Sequence, residues 1–232
     1  MILLVFYLLA AANLLFQGTL VVFLLSGPLR KYIFLFFYGI AQLAAIALLF
    51  FVVFTAGATS ELYRNVYWAA DVILDLLRFI LVIAMTHAVL EGEALRPAIG
   101  RLLGMIVTVA IVLPFVLFHP LFSTRWFLHT SQLLSFGGAA MNLFLWTAII
   151  GKRQRDTQLL LVSAGLGVAV TGVATTYGLL QFTSTELRWL PDIFKSMTLL
   201  LGVLLWCWAF RPATRTGLAA RSVPTAGRST AT

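Results

Sequence analysis

Apolar residues run through this chain in long blocks, without the strict alternation of a half-buried strand or the narrow stripe of a soluble helix. Seven blocks stand out, 2–26, 32–54, 66–90, 102–119, 128–150, 158–181 and 190–210, separated by polar breaks of at most about eleven residues. At about 1.5 Å per helical residue, each can cover the ~30 Å hydrocarbon layer of a bilayer. Lipid offers no hydrogen bonds to the backbone, which leaves helices or closed barrels, and these blocks do not alternate as barrel strands do. The pattern predicts an all-α integral membrane protein, a seven-transmembrane-helix bundle over 1–210. The first block is too long for the apolar core of a secretory signal and no Lys or Arg precedes it, so it is read as helix one.

Composition agrees. Of 232 residues, 61% are hydrophobic and only 10% charged, and the mean hydropathy is +1.00, whereas soluble domains carry about a quarter charged residues. The net charge of +8 suggests nucleic acid until its distribution is considered. One set of connections and the tail hold Arg30, Lys31, Arg96, Arg101, Lys152, Arg153, Arg155, Arg211, Arg215, Arg221 and Arg228. The alternate set holds only Arg64, Arg125 and Arg188. By the positive-inside rule the richer side is cytoplasmic, which places the N-terminus outside and the C-terminus in the cytoplasm of a multi-pass cell-membrane protein, the inner membrane in a Gram-negative cell. Nucleic acid is then not an expected partner. Residues 211–232, rich in Pro, Thr, Ala and Arg, read as a disordered basic cytoplasmic tail.

Charge within a span costs at least about 2.5 kcal/mol per group on insertion scales, so each such residue needs a partner or a use. Helix three holds Asp71, Asp75 and Arg78, spaced four and three apart and hence on one face. Counting from Val66, Asp71 lies about 8 Å deep, and Asp75 and Arg78 about 14 and 18 Å. Helix seven offers Asp192 and Lys195 near its outer end; Lys195 reaches the depth of Asp71 and is expected to close an ion-paired cluster with it. Three helices share a turn in which Trp precedes an ionisable group by three residues: Trp68 and Asp71, Trp126 and His129, Trp189 and Asp192. That repeat adds His129 and Asp192 to the candidate ligand- or ion-binding set. Asn13, Gln17 and Gln42 are expected to line the same region, as hydrogen-bonding glue or as the wall of a polar cavity among helices one, two, three and seven.

Small residues recur at helical spacing on helix six (Gly165, Ala169, Gly172, Thr176) and helix five (Ser131, Ser135, Ala139, Asn142), which marks packing seams. Pro114 is expected to kink helix four. Two carboxylates with His129 and His119 have the right atoms for a metal, but no ligand spacing such as His-Glu-x-x-His supports one, so neither a metal nor a cofactor is assigned. The single cysteine, Cys207, excludes an intrachain disulfide.

In helix count, orientation and a lysine on helix seven, the chain resembles the retinal-binding rhodopsins, where that lysine forms a Schiff base and helix three supplies its counter-ion. Helix three here reads Arg64-Asn-Val-Tyr-Trp-Ala-Ala-Asp71, which is not that family's arrangement, and helix six lacks Trp. Helix count and orientation are also similar to those of the seven-helix sensor regions that precede bacterial histidine kinases, a likeness that implies signalling through a partner in trans. Short connections place any activity inside the bundle. The leading expectation is a receptor-like sensor or transport component for a small molecule or ion, with the bilayer as its first partner. A non-catalytic scaffold or partner subunit, joined to a membrane protein or to its own copy, comes second. An intramembrane enzyme comes last, because no Ser/His pair, zinc motif or defensible pair of catalytic carboxylates is present.

Overall fold

A computed structural model describes residues 2–27, 29–90, 96–117, 123–151, 156–184, 187 and 189–211. Among these residues the chain is helical and contains no strand. The elements are α1 (Ile2–Leu25), α2 (Ile33–Ala56), α3 (Glu61–Val89), α4 (Arg96–Leu117), α5 (Thr124–Gly151), α6 (Thr157–Phe182) and α7 (Trp189–Phe210). Six of them, all but α4, contain described stretches long and apolar enough to cross a membrane, which marks a multi-pass membrane protein. The tail beyond Arg211, His119, and the basic residues Lys152, Arg153, Arg155 and Arg188 lie outside the described residues.

The helices extend beyond the apolar blocks at specific ends. α3 begins five residues before Val66 because Ser60 caps it, its hydroxyl accepting the Tyr63 N–H at 3.1 Å, with Glu61 in the first turn. α6 begins where Asp156 accepts the N–H groups of Gln158 and Leu159 at 2.9 and 3.2 Å. α2 ends at Gly57, whose φ of 84° suits a residue without a side chain.

Helix contacts run α1–α2–α3–α5–α6–α7 and back to α1, a closed ring, with α4 set against α5 and α3. Lys31, between α1 and α2, bonds Asp156 at the head of α6 at 2.8 Å. Tyr32 meets Phe210 of α7 edge-on at 5.0 Å, so these connections share one end of the bundle. The ring closes tightly at α6–α7. A methyl group at Gly165 would fall 2.6 Å from Trp206 Nε1 and 2.8 Å from the Gly202 carbonyl, and one at Gly172 would collide with Thr198. Small residues let these backbones meet where lipid supplies no hydrophobic drive. Trp206, fully buried, donates to the Val162 carbonyl at 2.9 Å and packs edge-on against Tyr38 of α2, 5.7 Å between centroids. Near the start of α5, Trp126 donates to the carbonyl of Pro114 at 3.1 Å and so ties α4 to the ring.

Candidate functional site

The middle turns of α3 carry acids at positions 71 and 75, which share one face because residues four apart lie one above the other on a helix. This face turns into the bundle, and Asp71, Asp75 and Arg78 are all buried. Lys195, seven residues into α7, reaches across, and its Nζ lies 2.6 and 2.8 Å from the two oxygens of Asp71. The Asp71 and Lys195 side chains are 9% and 12% exposed. Deeper, Arg78 Nη1 lies 2.8 Å from Asp75 Oδ1, with both side chains at 3% exposure or less.

Tyr177 of α6 joins the two pairs. Its hydroxyl donates to Asp71 in a short hydrogen bond and lies 3.4 Å from Asp75 Oδ2. The result is a continuous chain, Lys195, Asp71, Tyr177, Asp75, Arg78, that spans α3, α6 and α7 and sums to zero charge. Ser131 of α5 adjoins Asp75, and the Tyr38 hydroxyl of α2 lies beside Arg78. Five of the six ring helices therefore contribute to one buried polar region. The pairing offsets much of the cost of holding four charges away from water, though buried pairs seldom add net stability over apolar replacements.

The other residues singled out from sequence lie differently. Asp192 is exposed, one turn before Lys195 and within its electrostatic reach. His129 is half-buried, and its Nδ1 lies 3.2 Å from Gln132 Oε1 on its own helix. The shared Trp turn therefore leads to three different settings: buried pair, intrahelical contact and exposed acid. Gln17 is fully buried, and neither atom of its amide is hydrogen-bonded. It packs toward Gly39 of α2, where a methyl group would stand 3.3 Å from Gln17 Nε2. Asn13 lies one turn before it, and Gln42 one turn after Tyr38, so these amides follow the α1–α2 seam. Each leaves at least its carbonyl oxygen unpartnered.

A groove of about 630 Å³ lies between α5 and α6 and reaches α7, away from the α1–α2 seam of Asn13, Gln17 and Gln42. Asn142, Trp146, Gly167 and Thr171 are among its lining residues, and none of the charged residues borders it. Among the described residues, no group of three or more His, Cys, Asp or Glu side chains is placed to hold a metal ion.

Tyr177 is the part of the site that spacing along α3 and α7 could not reveal. Its signal is depth: it lies five residues before the end of α6, about 8 Å from that end, much as Lys195 lies about 9 Å into α7 and Asp71 about 8 Å beyond Val66. No protein-family model matches the chain, and comparison with curated proteins and with solved structures found no significant match, so the site is interpreted from its own geometry.

Proposed function

We propose that the chain crosses the membrane seven times, N-terminus outside and C-terminus cytoplasmic, and acts as a receptor-like sensor or transport component for a small molecule or ion. The orientation rests on the excess of Lys and Arg in the connections at the Lys31 end and in the tail. The function rests on one observation, the buried chain of alternating charges that links α3 to α7 directly and to α6 through Tyr177. Apolar residues would join these helices at lower cost, since each charge costs about 2.5–3.5 kcal/mol to place at the centre of a span. A chain of charges has a further property: a ligand that competes for one member changes the partners of the next, and so biases how the helices sit.

The test is to reconstitute the full chain in liposomes on a solid-supported membrane and apply concentration jumps of Na⁺, K⁺, Cl⁻, methylammonium and glycine. At least one should give a transient current that Asp71→Asn removes while thermal unfolding still shows a folded protein. Silence toward all five, or identical currents from Asp71→Asn, overturns the reading. The α5–α6 groove favours a second reading, a scaffold or partner subunit, because the Asn142 side-chain carbonyl on its lining has no hydrogen-bond partner among the described residues.

A further inference from the structure

The Lys195 ammonium sits in surroundings suited to any positively charged nitrogen. Both oxygens of Asp71 hold it, the Tyr177 ring centroid lies 5.3 Å away, and Tyr67, one turn before Asp71 on α3, is its electrostatic neighbour. A carboxylate beside an aromatic face, here that of Tyr177, is a common way for proteins to bind ammonium groups. Lys195 is also the most exposed of the four charged side chains, at 12%. A second acid stands on its own helix: Asp192, three residues earlier, is exposed toward the end at which α7 begins. Residues three apart share a helical face, and the flexible lysine stem can carry its charge from one acid to the other.

We infer that Lys195 is a tethered occupant of an ammonium site, with Asp192 as its alternative partner. When Lys195 swings out to Asp192, Asp71, Tyr177 and Tyr67 receive the ammonium group of an incoming primary amine. This rests on the proposed function and names its substrate class. The sign of the ligand follows from charge balance. Asp75 remains neutralised by Arg78, so departure of Lys195 leaves Asp71 as an uncompensated anion inside the span, where only a cation restores neutrality. One carboxylate and two phenols supply too few oxygens for Ca²⁺, which takes six or more.

Calorimetric titration of the full chain in lipid nanodiscs with methylammonium chloride, against NaCl at equal ionic strength, tests the inference. Lys195→Ala removes the tethered competitor and should bind methylammonium at least about tenfold more tightly than the native chain, whose competent fraction is small. Adding Asp71→Asn to that variant should abolish binding, and Asp192→Asn alone should weaken binding to the native chain severalfold, because the displaced lysine loses its second partner. If Lys195→Ala unfolds readily, a rise in its unfolding temperature with methylammonium but not with NaCl is the same evidence. A Lys195→Ala chain neither bound nor stabilised by methylammonium overturns the inference, as does binding that survives Asp71→Asn. Should Na⁺, K⁺, Cl⁻ or glycine still drive currents in the native protein, the proposed function outlives that failure.

Discussion

Two kinds of ion pair occur in this molecule at nearly the same separation. Lys31 and Asp156 meet at 2.8 Å at one end of the bundle, with side chains 53% and 39% exposed. Arg78 and Asp75 also meet at 2.8 Å, but at 3% and 1%. The distances give no hint of how different the consequences are. At the exposed pair, water and salt already solvate both charges, so the bridge contributes at most about 1 kcal/mol. At the buried pair, loss of one partner strands the other charge away from water, with only neutral hydroxyls such as those of Tyr177 and Tyr38 beside it. Burial, and not separation, decides which bridge governs the fold.

The largest expected effect follows from that difference. Arg78→Met leaves Asp75 buried without its cation and should cost about 3–5 kcal/mol of stability, whereas Arg78→Met with Asp75→Leu should recover most of it. Thermal or denaturant unfolding in nanodiscs measures both. If the double variant is no more stable than the single, the cost lies in packing and the comparison fails. Next in size, Gly172→Leu forces a side chain into Thr198 and should cost about 1–3 kcal/mol through overpacking, measured in the same way. It also pushes α6 off α7 between Tyr177 and Lys195, so it should weaken methylammonium binding by Lys195→Ala. Unchanged affinity would show that the ion chain tolerates a change in helix spacing.

These residues also mark how far sequence alone reaches. The apolar blocks locate six spans, and spacings of four and three put Asp71, Asp75 and Arg78 on one face, because period and depth are properties of a single helix. Neighbour relations are not. Nothing in the α4 sequence says that it lies outside a ring closed by α3 against α5, and nothing in Asn13, Gln17 or Gln42 says that they follow the α1–α2 seam. Tyr177 escapes notice because one tyrosine near a span end is ordinary until the carboxylates facing it are known. The repeated Trp turn suggested equivalence among Asp71, His129 and Asp192, but the three stand on helices with different neighbours, and the neighbours determine the setting.

The smallest effect belongs to the exposed bridge, and its pH dependence sharpens the contrast. The Lys31 hydrogen bond and the N–H groups of Gln158 and Leu159 outweigh partial burial and hold the Asp156 carboxyl below the ordinary carboxylate range. A carboxyl held low contributes stability above the ordinary value near 3.9 and loses it as pH falls below that. The Asp156 bond, with the Tyr32 and Asp156 charges, outweighs desolvation and raises Lys31 above the ordinary lysine value. A lysine held high contributes below about 10.4 and loses that contribution as pH rises through its folded value. The bridge should therefore be insensitive to pH between about 4 and 10. Asp156→Asn keeps an oxygen to cap α6 but removes the charge, so it should cost less than about 1 kcal/mol, and most of that cost should vanish in ~1 M salt, where the Debye length is only about 3 Å. The cost of Arg78→Met should persist in the same salt, because ions cannot enter the interior to replace the lost partner. If both costs fall together on adding salt, the buried pair is solvated after all, and its burial cannot be what separates it from the exposed one.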